Sequence, residues 1–135
     1  MADRVDVVTA VIVRGGKILL TQRDPLRSSG GLLWESPGGK VEPNETHVAA
    51  MARELVEELD VYCTVLEPLG VIELDPPEVS RPYRVTLYRV DIGVQRPRPI
   101  VATGIGWFSV EEMRALQLMP ANRLCLETIA KVLEA

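Results

Sequence analysis

Glu54, Glu57 and Glu58 stand at i, i+3 and i+4 of a stretch with helical periodicity, an arrangement that needs compensation wherever it folds. After the breakers Pro43 and Asn44, the pattern predicts a helix from residue 45 or 46 to 59. At 3.6 residues per turn, Val48, Ala52, Leu55, Val56 and Leu59 gather on one face, expected to pack on a core, and the glutamates emerge beside it. Each like-charge pair at this spacing costs an isolated helix about 0.2 to 0.5 kcal/mol, and these lie in the C-terminal turns, where the macrodipole disfavours anions. Two readings stand. Glutamate is a good helix former, so the trio is a solvated acidic face; or it is a set of oxygen ligands for a hard divalent cation, beside the glycine cluster Pro37-Gly38-Gly39.

The rest of the chain alternates strand and helix signals. Residues 5–14 and 18–22 are apolar and β-branched around Gly15-Gly16, which predicts a hairpin. Residues 24–31 read as a loop, and Leu32-Leu33-Trp34 as a short apolar entry to the glycine cluster. Strands are predicted over 64–74 and 83–94 with a turn at 75–78, a loop over 96–104, a short strand at Trp107-Phe108, a brief helix over 110–116 and a last amphipathic helix over 122–133. At 135 residues with 47% hydrophobic and 25% charged, one domain spanning 1–135 is expected. Cys63 and Cys125, lacking CxxC spacing, read as two small buried thiols and not as a disulfide or zinc site. No signal-peptide pattern or membrane-length apolar run is present, so a reducing cytoplasm is expected and no membrane partner. A net charge of −4 argues against holding polymeric nucleic acid, whereas a small nucleotide is compatible because a metal supplies the missing positive charge.

Residues 39–61 read Gly-Lys-Val-Glu-Pro-Asn-Glu-Thr-His-Val-Ala-Ala-Met-Ala-Arg-Glu-Leu-Val-Glu-Glu-Leu-Asp-Val. This resembles the Nudix box: glycine, five residues, glutamate, seven residues, Arg-Glu, a bulky aliphatic, any residue, Glu-Glu, any residue, glycine and a bulky aliphatic. Gly39, Glu45, Arg53, Glu54, Leu55, Glu57, Glu58 and Val61 match; Asp60 stands where the family has glycine. Asp is among the few other residues that enter the left-handed region readily, so a normal helix end is expected.

The resemblance implies an α/β fold, an α/β/α sandwich with a central mixed β-sheet, and magnesium-dependent hydrolysis of a phosphoanhydride in a nucleoside diphosphate linked to a further group. It implies that Glu54, Glu57 and Glu58 bind Mg2+, with Mn2+ as a substitute, and that the Gly38 carbonyl is a further ligand. Arg53 orients the site by pairing with a carboxylate, Glu57 at i+4 being suitably spaced. The general base is Glu54 or Glu57, because the later-loop glutamate of many relatives has no counterpart between Gln95 and Ser109. Lys40 meets phosphate oxygens or is a solvated loop lysine. Glu45 is structural, an anion in the helix's first turn, and His47, the only histidine, is expected to be exposed.

Beyond the box the chain is similar to the MutT branch, with Arg23 closing the second strand, Trp34-Glu35-Ser36-Pro37-Gly38-Gly39-Lys40 before the helix and Met119-Pro120-Ala121-Asn122 opening the last one. The resemblance implies conversion of a nucleoside triphosphate to the monophosphate and pyrophosphate, with oxidised substrates such as 8-oxo-dGTP in scope. Arg23, Trp34, Lys40 and Asn122 are the candidate substrate residues. Asn122 either reads a purine edge, since an amide donates and accepts at once, or caps the last helix; Trp34 either stacks on a base or is core. Ser36 replaces the aromatic usual before Pro-Gly-Gly. ADP-ribose or dinucleoside polyphosphate hydrolysis is the alternative within the family. A non-catalytic nucleotide-sensing domain is the alternative outside it, and such domains typically lose the box glutamates that this chain keeps. Monomer and homodimer both remain open.

Overall fold

The computed structural model describes residues 3–26, 31–63 and 65–134; the middle of the predicted 24–31 loop and the start of the strand predicted from 64 lie outside these residues, as do 1, 2 and 135. The chain runs β1 (Val5–Val11), β2 (Val13–Arg14), β3 (Lys17–Gln22), β4 (Trp34–Glu35), β5 (Gly38–Lys40), α1 (His47–Leu59), β6 (Val65–Leu74), β7 (Tyr83–Asp91), β8 (Gly104–Phe108), α2 (Val110–Ala115) and α3 (Pro120–Glu134). One sheet has the order β5-β1-β7-β6 and is mixed, with β1 parallel to β7 and the other pairs antiparallel. A second sheet is built on β3, which pairs with β8 on one edge and with β2 and β4 at opposite ends of the other.

Strand alternation explains the layers. Successive side chains point to opposite faces, so Val8, Ala10, Leu19 and Val90 join Ala50, Met51, Leu55 and Leu59 of α1 in one core, whereas Val11, Leu20, Val85 and Leu87 join Leu126 and Ile129 of α3 in the other. The expected α/β/α sandwich with a mixed sheet is the observed architecture.

Several expectations are corrected. The hairpin reaches only from Val13 to Ile18 across the Gly15-Gly16 turn, because β1 separates from β2 at Ile12 and pairs instead with β5 and β7. α1 starts at His47, with the Thr46 hydroxyl accepting from Ala49 N as its cap. Its buried stripe is Ala50, Met51, Leu55 and Leu59; Val48 and Val56 are 63% and 39% exposed, and Ala52 is exposed as well. The buried face is thus turned toward Glu54 and Glu58, and the i, i+4 row Val48, Ala52 and Val56 lies on the solvent side. β8 extends back to Gly104, into a stretch predicted as loop, because its two glycines hide the strand pattern. β7 stops at Asp91, short of 94, where Gly93 takes φ 62°. Cys63 is half-buried while Cys125 is buried, and both are free.

Both ends of α1 are tied down. At its start His47 is partly buried and bonded, not exposed as expected: Nε2 donates to Asp6 Oδ2 at 3.0 Å, and Nδ1 lies 2.8 Å from the Tyr88 hydroxyl, linking the helix to β1 and β7. At its end Asp60 takes φ 57° and ψ 43°, its N–H reaching the carbonyls of Leu55 and Val56, while its carboxylate receives Arg98 Nη2 at 2.6 Å. Aspartate therefore does the work of the missing glycine, as expected. No helix among the described residues is long and apolar enough to cross a membrane.

Candidate active site

The loop from Glu35 to Lys40 lies between β1 and α1, and its glycines permit that closeness. A Cβ on Gly38 would strike the Val8 carbonyl, and one on Gly39 would strike the Glu54 carboxylate. Gly38 N donates to Glu58 Oε2 at 2.9 Å, which brings together two of the predicted metal-binding residues. Ala10 N bonds the Pro37 carbonyl at 2.8 Å and Val41 N the Asp6 carbonyl at 2.9 Å, so the loop is held by backbone on both sides.

Arg53 organises the carboxylates. Its Nε and Nη2 donate to both oxygens of Glu45 at 2.8 and 2.9 Å, Nη1 to Glu54 Oε1 at 2.9 Å, and Nη2 also to the Lys40 carbonyl at 3.0 Å. The predicted partner Glu57 is reached only at 3.5 Å. Glu45 precedes the helix and is not in its first turn; its role is structural through Arg53, whose hydrogen bonds, with that from Glu42 N, hold the Glu45 carboxyl down to about 2. Helical spacing does not reveal this pair, because Glu45 lies before the helix and its position relative to Arg53 is set by the preceding turn.

Glu54 and Glu57 differ in setting, with side chains 14% and 57% exposed. Burial raises the Glu54 carboxyl above its ordinary value, against the opposing pull of Arg53. Glu58 is pushed up to about 8, first by burial and further by Glu54, Glu35 and Glu57 around it, against the hydrogen bond from Gly38. Buried, mutually repelling carboxylates form an oxygen-only donor set of the kind a hard divalent cation relieves. Among the described residues no group of three or more His, Cys, Asp or Glu is gathered closely enough to hold an ion. Glu54 is turned to Arg53 and Glu58 to Gly38.

Next to the carboxylates lies a cavity of about 550 Å3 whose walls include Val7, Val85, Arg23, Lys40 and Asn122. A smaller recess of about 210 Å3 is lined by Glu58, Asp24 and Thr21, and Arg23 and Glu35 line both. Arg23 Nη1 donates to the two Glu35 oxygens at 3.2 and 3.1 Å, and burial lifts the Glu35 carboxyl despite this partner. Glu35 was overlooked because it stands alone in the sequence with no periodic context. Lys40 lines the large cavity and is exposed. Trp34 does not line it: its ring meets Phe108 edge-on, centroids 4.9 Å apart, within the core on the α3 side. Asn122 does not cap α3, which begins two residues earlier at Pro120; its Oδ1 accepts from Ser36 N at 3.3 Å.

The NUDIX domain family profile matches residues 3–129. A CTP pyrophosphohydrolase of Escherichia coli is 54% identical over 63 residues, 47% of this chain and 46% of that protein, so the match spans less than half of that relative. A Mycobacterium tuberculosis protein provisionally named 8-oxo-dGTP diphosphatase 2 is 34% identical over 127 residues, 94% of this chain and 89% of that protein. The crystal structure of a MutT NUDIX hydrolase from Burkholderia pseudomallei, 28% identical, matches with a TM-score of 0.80 over 94% of this chain and 98% of that one.

Proposed function

The chain belongs to the NUDIX family, and on that premise we propose that it is a nucleoside triphosphate pyrophosphohydrolase, releasing the monophosphate and pyrophosphate. The observation that carries this reading is the shared loop: Gly38 and Gly39 touch the carboxylates of α1 on one side and wall the 550 Å3 cavity on the other. A cavity of that size has room for a nucleoside, and its neighbour holds the charged groups that a triphosphate tail would meet. The whole chain is then one such domain, acting in the cytoplasm on a small molecule.

Glu54, Glu57 and Glu58, with the Gly38 carbonyl, would hold Mg2+, for which Mn2+ would substitute. When bound, the ion shields the triphosphate's charge and acidifies water. The chain's own part is positional. Arg53 holds Glu54 and the Lys40 carbonyl in register, Lys40 and Arg23 offer cations to phosphate oxygens, and Glu54 or Glu57 accepts the proton of the attacking water as the bond to the pyrophosphate group breaks.

A release assay for phosphate and pyrophosphate, run with magnesium over nucleoside triphosphates, ADP-ribose and dinucleoside polyphosphates, tests the reading. Pyrophosphate from a triphosphate supports it; turnover of only ADP-ribose or the dinucleoside polyphosphates, or of nothing, refutes it. Excess chelator is expected to bring turnover to background, with magnesium or manganese restoring it, since the donors are all oxygen. Full activity in excess chelator contradicts the metal assignment.

A further inference from the structure

Between β7 and β8 the chain forms neither helix nor strand, yet residues 98–103 are bound through their backbone. Arg98 N donates to the Leu59 carbonyl at 3.0 Å, Ile100 N to the Glu58 carbonyl at 3.1 Å and Thr103 N to the Gln22 carbonyl at 2.9 Å. The last carbonyls of a helix find no partner within it, so residues 98 and 100 complete the end of α1. The run Pro97-Arg98-Pro99-Ile100 suits that task. Proline lacks an N–H and fixes φ, so the segment is stiffened at 97 and 99, and its two remaining donors, at alternate residues, meet adjacent carbonyls of the helix. The side chain of Arg98 adds a further tie: Nη2 reaches Asp60 Oδ2 at 2.6 Å. Asp60 is the residue that departs from the box, and a glycine there would leave Arg98 without this partner. Just beyond the ties, Val101 and Ala102 line the small recess together with Glu58 and Glu35.

We infer that Arg98 is a positioning residue for the carboxylate recess: paired with Asp60, it holds residues 98–102 as a strap across the end of α1, so that Val101 and Ala102 keep water from Glu58. This rests on the hydrolase reading above and adds to it a residue that lines neither recess. Excluding water strengthens the attraction between carboxylates and a cation, and residues that support a metal ligand are worth about 10 to 100-fold in affinity. An exposed ion pair contributes little to stability by itself, and the Arg98 and Asp60 side chains are 65% and 48% exposed. Breaking the pair should therefore cost the site far more than it costs the fold.

Arg98→Ala and Asp60→Gly in the whole chain provide the test, with Arg96→Ala, which removes the same charge from an exposed neighbour, as the control. Glycine keeps the left-handed end of α1 while deleting the carboxylate. Mn2+ affinity, hydrogen exchange at the Ile100 amide, pyrophosphate release and melting temperature are measured for each. In both variants the Ile100 amide should exchange about tenfold faster, Mn2+ should bind about tenfold more weakly, and kcat should fall about tenfold with the KM for triphosphate little changed. Melting should stay within about 3 °C of the parent's. The double variant should bind Mn2+ no more weakly than either single one, since each breaks the same tie, and Arg96→Ala should match the parent. Mn2+ affinity within about twofold of the parent's in both variants, an equal loss in Arg96→Ala, or a loss that tracks a fall in melting temperature overturns the inference. Weaker Mn2+ binding and faster exchange in variants of a chain that releases no pyrophosphate from any triphosphate would uphold the strap and refute the hydrolase reading alone; a parent chain that binds no Mn2+ overturns both.

Discussion

Glu58→Gln should reduce pyrophosphate release by about a hundredfold or more if Glu58 holds the metal as proposed, because even residues supporting a metal ligand are worth about 10 to 100-fold. The same substitution should stabilise the metal-free chain in alkaline solution. The Glu58 carboxyl sits at about 8 in the fold against an ordinary 4.5, so the folded state binds the extra proton between those values. The stability attached to the neutral form is complete below 4.5 and is lost as pH rises through 8. Glutamine mimics the neutral form at every pH. In chelator, parent and variant should melt together near pH 5, and the variant several degrees higher near pH 9. Turnover close to the parent's at saturating magnesium would remove Glu58 from the site, and coincident melting at both pH values would show that its carboxyl is not held up by burial.

Arg53→Lys is the second large effect. Lysine keeps the charge but cannot form the planar fork that reaches both Glu45 oxygens while also meeting Glu54 and the Lys40 carbonyl. Glu54 then loses its locator and the 35–40 loop loses a tie to α1. The expected result is a fall in kcat of at least about tenfold, a misplacement effect, with the KM for nucleotide changed little because Arg53 lines neither recess. The melting temperature should also fall, and Arg53→Ala should be worse in both respects. If Arg53→Lys retains kcat within about twofold, charge alone suffices and the positioning role given to the fork is wrong.

The box was legible because its spacing constrains several residues at once, and the helix, its left-handed end at Asp60 and the mixed sheet all emerge as read. Less legible were features set by pairing across the chain. Which face of α1 is buried depends on where β1 and β7 lie, and the run of Val48, Ala52 and Val56 satisfies the periodic pattern equally well. Arg53 chooses Glu45 over Glu57 because the turn before the helix folds back over it, a proximity invisible in i+4 arithmetic. Glu35 and Ser36 belong to the site through a strand of two residues and a loop, too short to carry any periodicity. Asn122 lies inside α3 and not at its cap because the helix takes Pro120 as its first residue, a start that the run Met119-Pro120-Ala121-Asn122 leaves undecided.

The parallel pairing of β1 with β7 has a consequence for biosynthesis. Val5 lies opposite Tyr83 and Val11 opposite Arg89, so the strand synthesised first acquires its central neighbour only after most of the chain exists. Until then β1 has β5 alone as a partner, and the Tyr88 end of the His47 link is missing. Distant pairings of this kind close large loops before they are rewarded, which slows folding. On the ribosome, the NUDIX box would emerge with β1 and β5 already made but without β7, whose Val90 completes the core under α1. That part of the apolar face would stay uncovered until β7 arrives, an interval in which the nascent chain depends on chaperones or on speed to avoid aggregation.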